Sequence, residues 1–225
     1  MASPVGHTLM GVAVGALVLH AVSAPMAYRW GLPLARSTSD KGVNGASLWR
    51  CLHWRWLLLI VLSANFADLD FLPGALVGDI NRWHHTASHS FLAVLIWGFA
   101  VLAALTWWDR RPSRLRAHGE ASELRRCVGL SAVFAYASHL LLDWLTQDLR
   151  APFGIPLLWP LDLYSLSAWT PFGGIRHGVP GDDAITVFWA VFSWHNVGMA
   201  LREILVVLPV IGLLALLMRA RVNDR

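Results

Sequence analysis

Long apolar runs separated by arginine-rich blocks constrain this chain more than any motif in it. A helix needs about 20 mainly apolar residues to cross a bilayer. Four runs approach that length: Thr8–Ala27, a stretch from Trp56 through "LLLIVLSANFADLDFLPGALVG", Ser90–Trp108 and Cys127–Thr146. The second holds Asp68 and Asp70 and then Pro73-Gly74, so it reads as a short or broken span. A fifth stretch, Ala184–Met218, is too long for one simple span. It reads as an interfacial helix to about Ala200 followed by a span from Ile204. Only 14% of residues are charged, against roughly 25% in soluble domains. The expected fold is all-α: one polytopic membrane domain over residues 1–225, with about five transmembrane helices, one of them broken, and interfacial helices beside them.

The charges orient these spans. Residues 28–55 hold Arg29, Arg36, Lys41, Arg50 and Arg55, and residues 109–126 hold Arg110, Arg111, Arg114, Arg116, Arg125 and Arg126. The tail carries Arg219, Arg221 and Arg225, while the other connections are poorer in basic residues. Basic loops stay in the cytoplasm, which puts both blocks and the C-terminus inside and the N-terminus outside. The net charge of +4 is thus explained by topology, and no nucleic-acid-binding stripe exists. No basic residue precedes the first run, so it reads as a retained span rather than a signal peptide. Cys51 and Cys127 lack zinc-ribbon spacing and read as small apolar residues. This topology rests on Lys and Arg alone, yet it gathers His7, Asp68, Asp70, His84, His85, His89, His139 and Asp143 near the non-cytoplasmic ends of their spans.

Those residues have the chemistry of a metal site. "ASHLLLDWL" sets His139 and Asp143 one helical turn apart, on one face. Ionisable groups inside spans are costly and usually functional. In "ANFADLDFLPG", Asp68 and Asp70 repel each other in an apolar run unless a cation neutralises them. They share a face only in an extended or broken segment. "RWHHTASHS" supplies His84, His85 and His89, and imidazole is the commonest metal ligand. His7 stands just before the first span. Oxygen and nitrogen donors without thiolate suit a divalent ion, Zn²⁺ first, then Mn²⁺ or Fe²⁺. This many donors suggests more than one ion. Elsewhere, His20 lies mid-span, His53 and His118 lie in basic loops, and Arg176 and His177 share an outer loop where they could meet an anion. His195 has no evident partner. No nucleotide-binding or serine-hydrolase motif is present.

The order Gly6-His7, "DLD", "HHTASHS", "SHLLLDWLT", "GIPLLWP" resembles the YdjM-like family of bacterial inner-membrane proteins regarded as metal-dependent hydrolases. The resemblance covers roughly residues 6–160. Ala67 stands where that family has Pro, and Phe71 where it often has His. His84 takes the family histidine and His85 its arginine position, which favours His84 as the ligand. More distantly, the order His7, Asp70, His84, His139, Asp143 is similar to zinc-dependent phospholipase C and single-strand nucleases. Met199 stands four residues after His195, where that pattern has an acid. Residues and resemblance together point to metal ligation by His7, Asp68, Asp70, His84, His89, His139 and Asp143, with Asp70 and His85 as catalytic candidates; Arg176, beyond the resemblance, is a third because its guanidinium could hold a phosphate. The resemblance implies a metal-dependent hydrolase of the inner membrane; the multi-metal donor set and its place at the membrane face point to a phosphoester or lipid substrate cut by metal-activated water, and the arginine topology puts this at the non-cytoplasmic face. Two other functions use the same residues: a structural metal site, and a metal or proton pathway. Clustering at one face argues against a pathway, which needs polar groups at depth on both sides.

The topology has a direct check. Cysteine placed at Ser113 is expected to resist a membrane-impermeant maleimide added from the periplasmic side. Labelling there would move the site to the cytoplasmic face.

Overall fold

The computed structural model describes residues 2–29, 54–79, 82–109, 118–148, 153–161, 163–179 and 182–223. Among these, all regular structure is helical: α1 (Pro4–Arg29), α2 (Trp54–Ala64), α3 (Phe71–Leu76), α4 (Phe91–Asp109), α5 (His118–Trp144), α6 (Ala184–Val191) and α7 (Trp194–Asn223). Single 3₁₀ turns cover Ala67–Asp70 and Ala87–His89. The only β-type pairings among the described residues are isolated bridges, Thr146 to Phe172 and Ile155 to Ser165. The basic connections at 30–53 and 110–117, with His53 and Cys51, lie outside the described residues.

Helix α5 is the hub, packed against α1, α2 and α4, while α1 also touches α2 and α7. The sequence explains why. Val128, Ser131, Ala132, Ala135, Ser138, His139, Leu142 and Asp143 recur at three- and four-residue spacing and are buried. Where lipid is as apolar as leucine, helices associate through small residues that let backbones approach. Helix α1 answers with Gly11 and Gly15, a G-x-x-x-G pair set against Ala64 and Ile60 of α2. Cys127 packs in the same core with Ile60 and Ala64. The small-residue stripe of α5 ends in His139 and Asp143, so the packing that holds the bundle also fixes where the polar pair sits.

Among the described residues, two stretches are long and apolar enough to cross a membrane, Arg126–Trp144 and Ile185–Leu213. A third arises if Trp56–Ala64 and Ala67–Leu76 count as one span bent by 59°. Pro4–Val18 and Phe91–Trp107 are apolar but shorter. A helical membrane protein follows from these helices.

The bend corrects the sequence reading in position. It falls at Asn65–Phe66, ahead of the aspartates, and not at Pro73-Gly74. Pro73 lies in the first turn of α3, where a missing N–H leaves no bond broken. Helix α2 stops where Asn65 N turns to Leu62 O at 3.3 Å and the Asn65 side chain takes Val61 O at 2.9 Å. Asn65 also donates to Thr8 Oγ1 of α1 at 3.0 Å. Asp68 and Asp70 therefore sit on a 3₁₀ turn rather than an extended segment.

The last stretch also breaks elsewhere than expected, at Phe192–Ser193 instead of after Ala200. Asp183 caps α6, accepting from Thr186 N at 2.7 Å. Asn196 Nδ2 then takes the carbonyls of Ala190 and Val191 at 3.0 and 2.9 Å. With those carbonyls satisfied by a side chain, α6 ends, and α7 runs on unbroken through 200–204.

The close approach of α1 to α2 predicts opposite outcomes for one substitution. A Cβ at Gly11 would collide with the Cβ of Ala64, whereas at Gly212 it meets nothing within 4 Å. Gly11→Val is expected to destabilise by about 1–3 kcal/mol, as overpacking does. Gly212→Val should be tolerated. Thermal melts in detergent decide between them.

Candidate metal centre

The site is assembled where α5 meets the bend after α2. His139 and Asp143 lie one turn apart at the inner end of the small-residue stripe, and both are buried. His139 Nδ1 sits 2.8 Å from Ala64 O, the last residue of α2. A carbonyl only accepts, so Nδ1 carries the proton and Nε2 keeps its lone pair. That lone pair faces Asp143 Oδ2 at 3.1 Å, His89 Nε2 at 3.3 Å and Asp68 Oδ1 at 3.5 Å. Histidines that bind metal typically donate their other N–H to a carbonyl or carboxylate in this way.

The same logic holds on the other side. Asp70 Oδ1 lies 2.9 Å from His84 Nδ1, and its Oδ2 accepts from Ser88 Oγ at 2.7 Å and lies 3.3 Å from His89 Nδ1. Asp70 thus spans two imidazoles and turns the Nε2 of His89 inward, 3.3 Å from Asp143 Oδ2 and 3.8 Å from Asp68 Oδ1. Tyr136 of α5 donates to Ser88 O at 2.6 Å, anchoring the histidine loop to the hub. His85 takes the left-handed conformation, φ 57°, which is uncommon without glycine and clusters at functional sites. The histidines separate electrostatically. Burial opposes charge on His89, but Asp143, Asp68 and Asp70 outweigh it and hold its pKa well above the usual imidazole value. Burial prevails at His84 and His85, whose pKa values fall.

Asp68, His89, His139 and Asp143 each offer a ligand atom, all within 4.8 Å of one another. His84, His85 and His89 form a second such group that shares His89. Both oxygens of Asp68, Oδ2 of Asp143 and Nε2 of His85 are buried without a hydrogen-bond partner. Buried carboxylates left this way are costly. Three carboxylates beside imidazoles are a surplus of negative charge, and a cation bound among them removes it. The donor set therefore fits a divalent ion that accepts nitrogen and oxygen ligands.

His7 stands beside the four converging atoms rather than among them. Its ring stacks on His139 at 3.6 Å, and its Nε2 lies 3.4 Å from Asp143 Oδ1. Arg176 is not brought to the cluster: its side chain is exposed, and its main chain is pinned to Asn196 at 2.7 Å through both N–H and C=O. Its neighbour His177 arrives instead, 5.5 Å from the His84 ring and 5.9 Å from Phe71. His195 Nε2 donates to Gly174 O at 3.0 Å and steadies that loop. The His20 and His118 side chains lie outside the description. Sequence reasoning missed Glu203, buried in α7, whose carboxylate accepts from Ser3 N at 2.8 Å and from the Ser3 hydroxyl. An acid inside a span was the signal available. Gly6 is needed there, since a Cβ would strike the Glu203 carboxylate. Ala2 N donates to Asp143 Oδ1 at 2.7 Å, so this N-terminal stretch helps to close the site. Asp148 was also missed; its Oδ1 is 4.0 Å from His85 Nδ1 and its Oδ2 accepts from Gly154 N at 2.5 Å. A cavity of about 200 Å³ adjoins Asp143 and reaches Asp148 and Ser165.

Fold and site together define a helical membrane protein with a buried His/Asp cluster able to hold a metal ion. The chain belongs to the YdjM inner membrane protein family, whose model matches residues 1–222. No curated protein and no solved structure matches it.

The geometry separates ligands from the residue that orients them. Asp143→Asn and His139→Ala should each abolish bound metal in purified protein, read by elemental analysis. Asp70→Asn leaves the four converging donors in place and should weaken affinity about 10–100-fold, as loss of an orienting partner does. A competition titration measures it. Full metal content in both Asp143→Asn and His139→Ala would reduce the pair to a hydrogen bond inside the bundle.

Proposed function

We propose that the protein is a membrane-embedded, metal-dependent hydrolase acting on phosphoesters. The observation that carries this reading is the convergence of Asp68, His89, His139 and Asp143, from three separate segments, on one buried point next to a cavity. Zn²⁺ fits the donors best, with Mn²⁺ or Fe²⁺ as alternatives. The group of His84, His85 and His89 supports a second ion. When bound, such a cation supplies Lewis acidity toward a phosphoryl oxygen and acidifies water.

The chain's own residues have distinct tasks in this reading. Asp68, His89, His139 and Asp143 hold the cation. Asp70 fixes the rings of His84 and His89, which makes it a positioning residue as well as a charge. His85, 4.0 Å from Asp148, is a ligand where a second ion binds and a proton-exchanging group where only one does. His7 shields Asp143 on the side of α1. Arg176 keeps a role only if its exposed side chain swings inward, and His177 is the better placed of the two. The chain crosses the inner membrane five times in this reading, with the site toward the non-cytoplasmic face.

A structural metal is the second reading, favoured by the depth at which His139 and Asp143 are buried. The cavity beside Asp143 favours the catalytic one, because a catalytic metal keeps a position open. A panel of phosphomonoesters, phosphodiesters and phospholipids, with Zn²⁺ or Mn²⁺ added and a chelator control, tests the two. Chelator-sensitive turnover lost in Asp143→Asn is expected. Full metal occupancy without turnover on any class would establish the structural reading instead.

A further inference from the structure

The segment after α5 does not look like a water-facing loop. Residues 153–175 contain a single charged residue, Asp162. Connections over a soluble surface are polar, and exposed apolar patches mark an interaction surface. Here Leu161, Leu166 and Trp169 are 61, 64 and 70% exposed, with Leu158, Trp159 and Leu163 exposed beside them. The backbone is not helical, so it does not belong in hydrocarbon, where unpaired N–H and C=O groups are prohibitive. Part of it is nonetheless paired: Ile155 and Ser165 exchange both hydrogen bonds, at 3.1 and 2.9 Å, and Phe91 N at the start of α4 donates to Leu157 O at 3.0 Å. Tryptophan and tyrosine concentrate at the lipid–water boundary, and Trp159, Tyr164 and Trp169 are all exposed here.

What covers this face is indicated by its continuity with the spans. Phe91 leads into α4, whose Leu95, Ile96 and Phe99 are exposed, and α7 likewise exposes Leu201, Leu205 and Leu208. On a membrane-spanning bundle those side chains face lipid. The same segment walls the cavity beside Asp143. Phe153 and Leu166 stand on its exposed side, while Thr146 and Asp143 are buried at its depth, and Ser165 and Ser167 lie between. Gln147 and Thr170 are exposed in the same lining, so polar groups suited to a headgroup and apolar groups suited to a chain meet at the cavity's open side.

We propose that residues 153–161 and 163–170 lie in the headgroup layer of the bilayer and form a lateral entrance, so that the cavity takes an amphiphile from the membrane: polar head toward Asp143, acyl chains past Phe153 and Leu166. The inference deepens the hydrolase reading by naming the source of its substrate, and the occupant is a bilayer lipid rather than a soluble ester.

The test does not depend on turnover. Cysteine is placed at Leu161 or Leu166 in protein whose Cys51 and Cys127 are replaced by Ser and Ala. The protein is labelled with bimane and reconstituted in phosphatidylethanolamine–phosphatidylglycerol vesicles. Quenching by a nitroxide near the top of the acyl chain and protection from aqueous iodide are expected. Iodide quenching without nitroxide quenching would overturn the proposal, and so would protection from both, which would mean that protein covers the face. In parallel, a phospholipid with a photoreactive diazirine near its headgroup is crosslinked to unlabelled protein. Adducts within 153–170 are expected; adducts confined to α4 and α7 would overturn the entrance. Turnover of phosphoesters by a protein whose loop is quenched by iodide would uphold the hydrolase and reject the entrance. A lipid-seated loop in a protein without turnover would do the reverse.

Discussion

Everything near the centre of this molecule answers to one cost: three carboxylates, Asp68, Asp70 and Asp143, are held together inside an apolar bundle. Charge buried in this way is tolerated only when paired, hydrogen-bonded or bound to a cation. Asp70 is satisfied by Ser88 and two imidazoles. Asp68 and one oxygen of Asp143 are not. The histidines divide accordingly. His84 and His89 spend a nitrogen on Asp70, His139 spends one on the Ala64 carbonyl, and the nitrogens left over at His89 and His139 turn toward the unsatisfied oxygens. The site's geometry is the solution of a charge problem.

The scaffold is arranged so that this solution is rigid. The stripe of serine and alanine on α5 brings α1 and α2 close, and its last turn delivers His139 and Asp143. The interruption of α2 frees the Ala64 carbonyl that fixes His139 and supplies the turn that carries both aspartates. A straight second span would offer neither. The break is thus a functional element, and Asn65, by satisfying both Val61 O and Thr8, is what keeps it in place.

How much of this could be read from the sequence depends on how local each signal is. The pair His139 and Asp143 is legible because helical spacing alone makes them neighbours. That the imidazoles and carboxylates share one end of the bundle follows from where the arginines lie. The position of the bend was not legible: Pro73-Gly74 is the stronger local signal, but the Val61 carbonyl is taken by Asn65, whose side chain is held by Thr8 of α1. The division of labour between Asp68 and Asp70 is likewise tertiary, since it turns on which imidazole nitrogen each one faces. Arg176 looked like the anion-binding member of its loop, yet Asn196, twenty residues on, holds the backbone so that His177 is the one that approaches the cluster. Glu203 was readable as an acid within a span; its partner Ser3, two hundred residues away, was not.

The bend also sets a depth. At a rise of 1.5 Å per residue, the eleven residues of α2 carry the chain about 16 Å, and the thirteen steps from Arg126 to His139 along α5 come to about 20 Å. In the five-span reading proposed above, both lengths put the cluster past the middle of a hydrocarbon layer about 30 Å thick, roughly a third of the way in from the end opposite the arginines. A divalent cation reaching it from that end crosses about a third of the transmembrane voltage, which amounts to about 1.5 kcal/mol per 100 mV. That is close to a tenfold change in affinity, so the energised state of the membrane would itself tune how fully the centre is loaded.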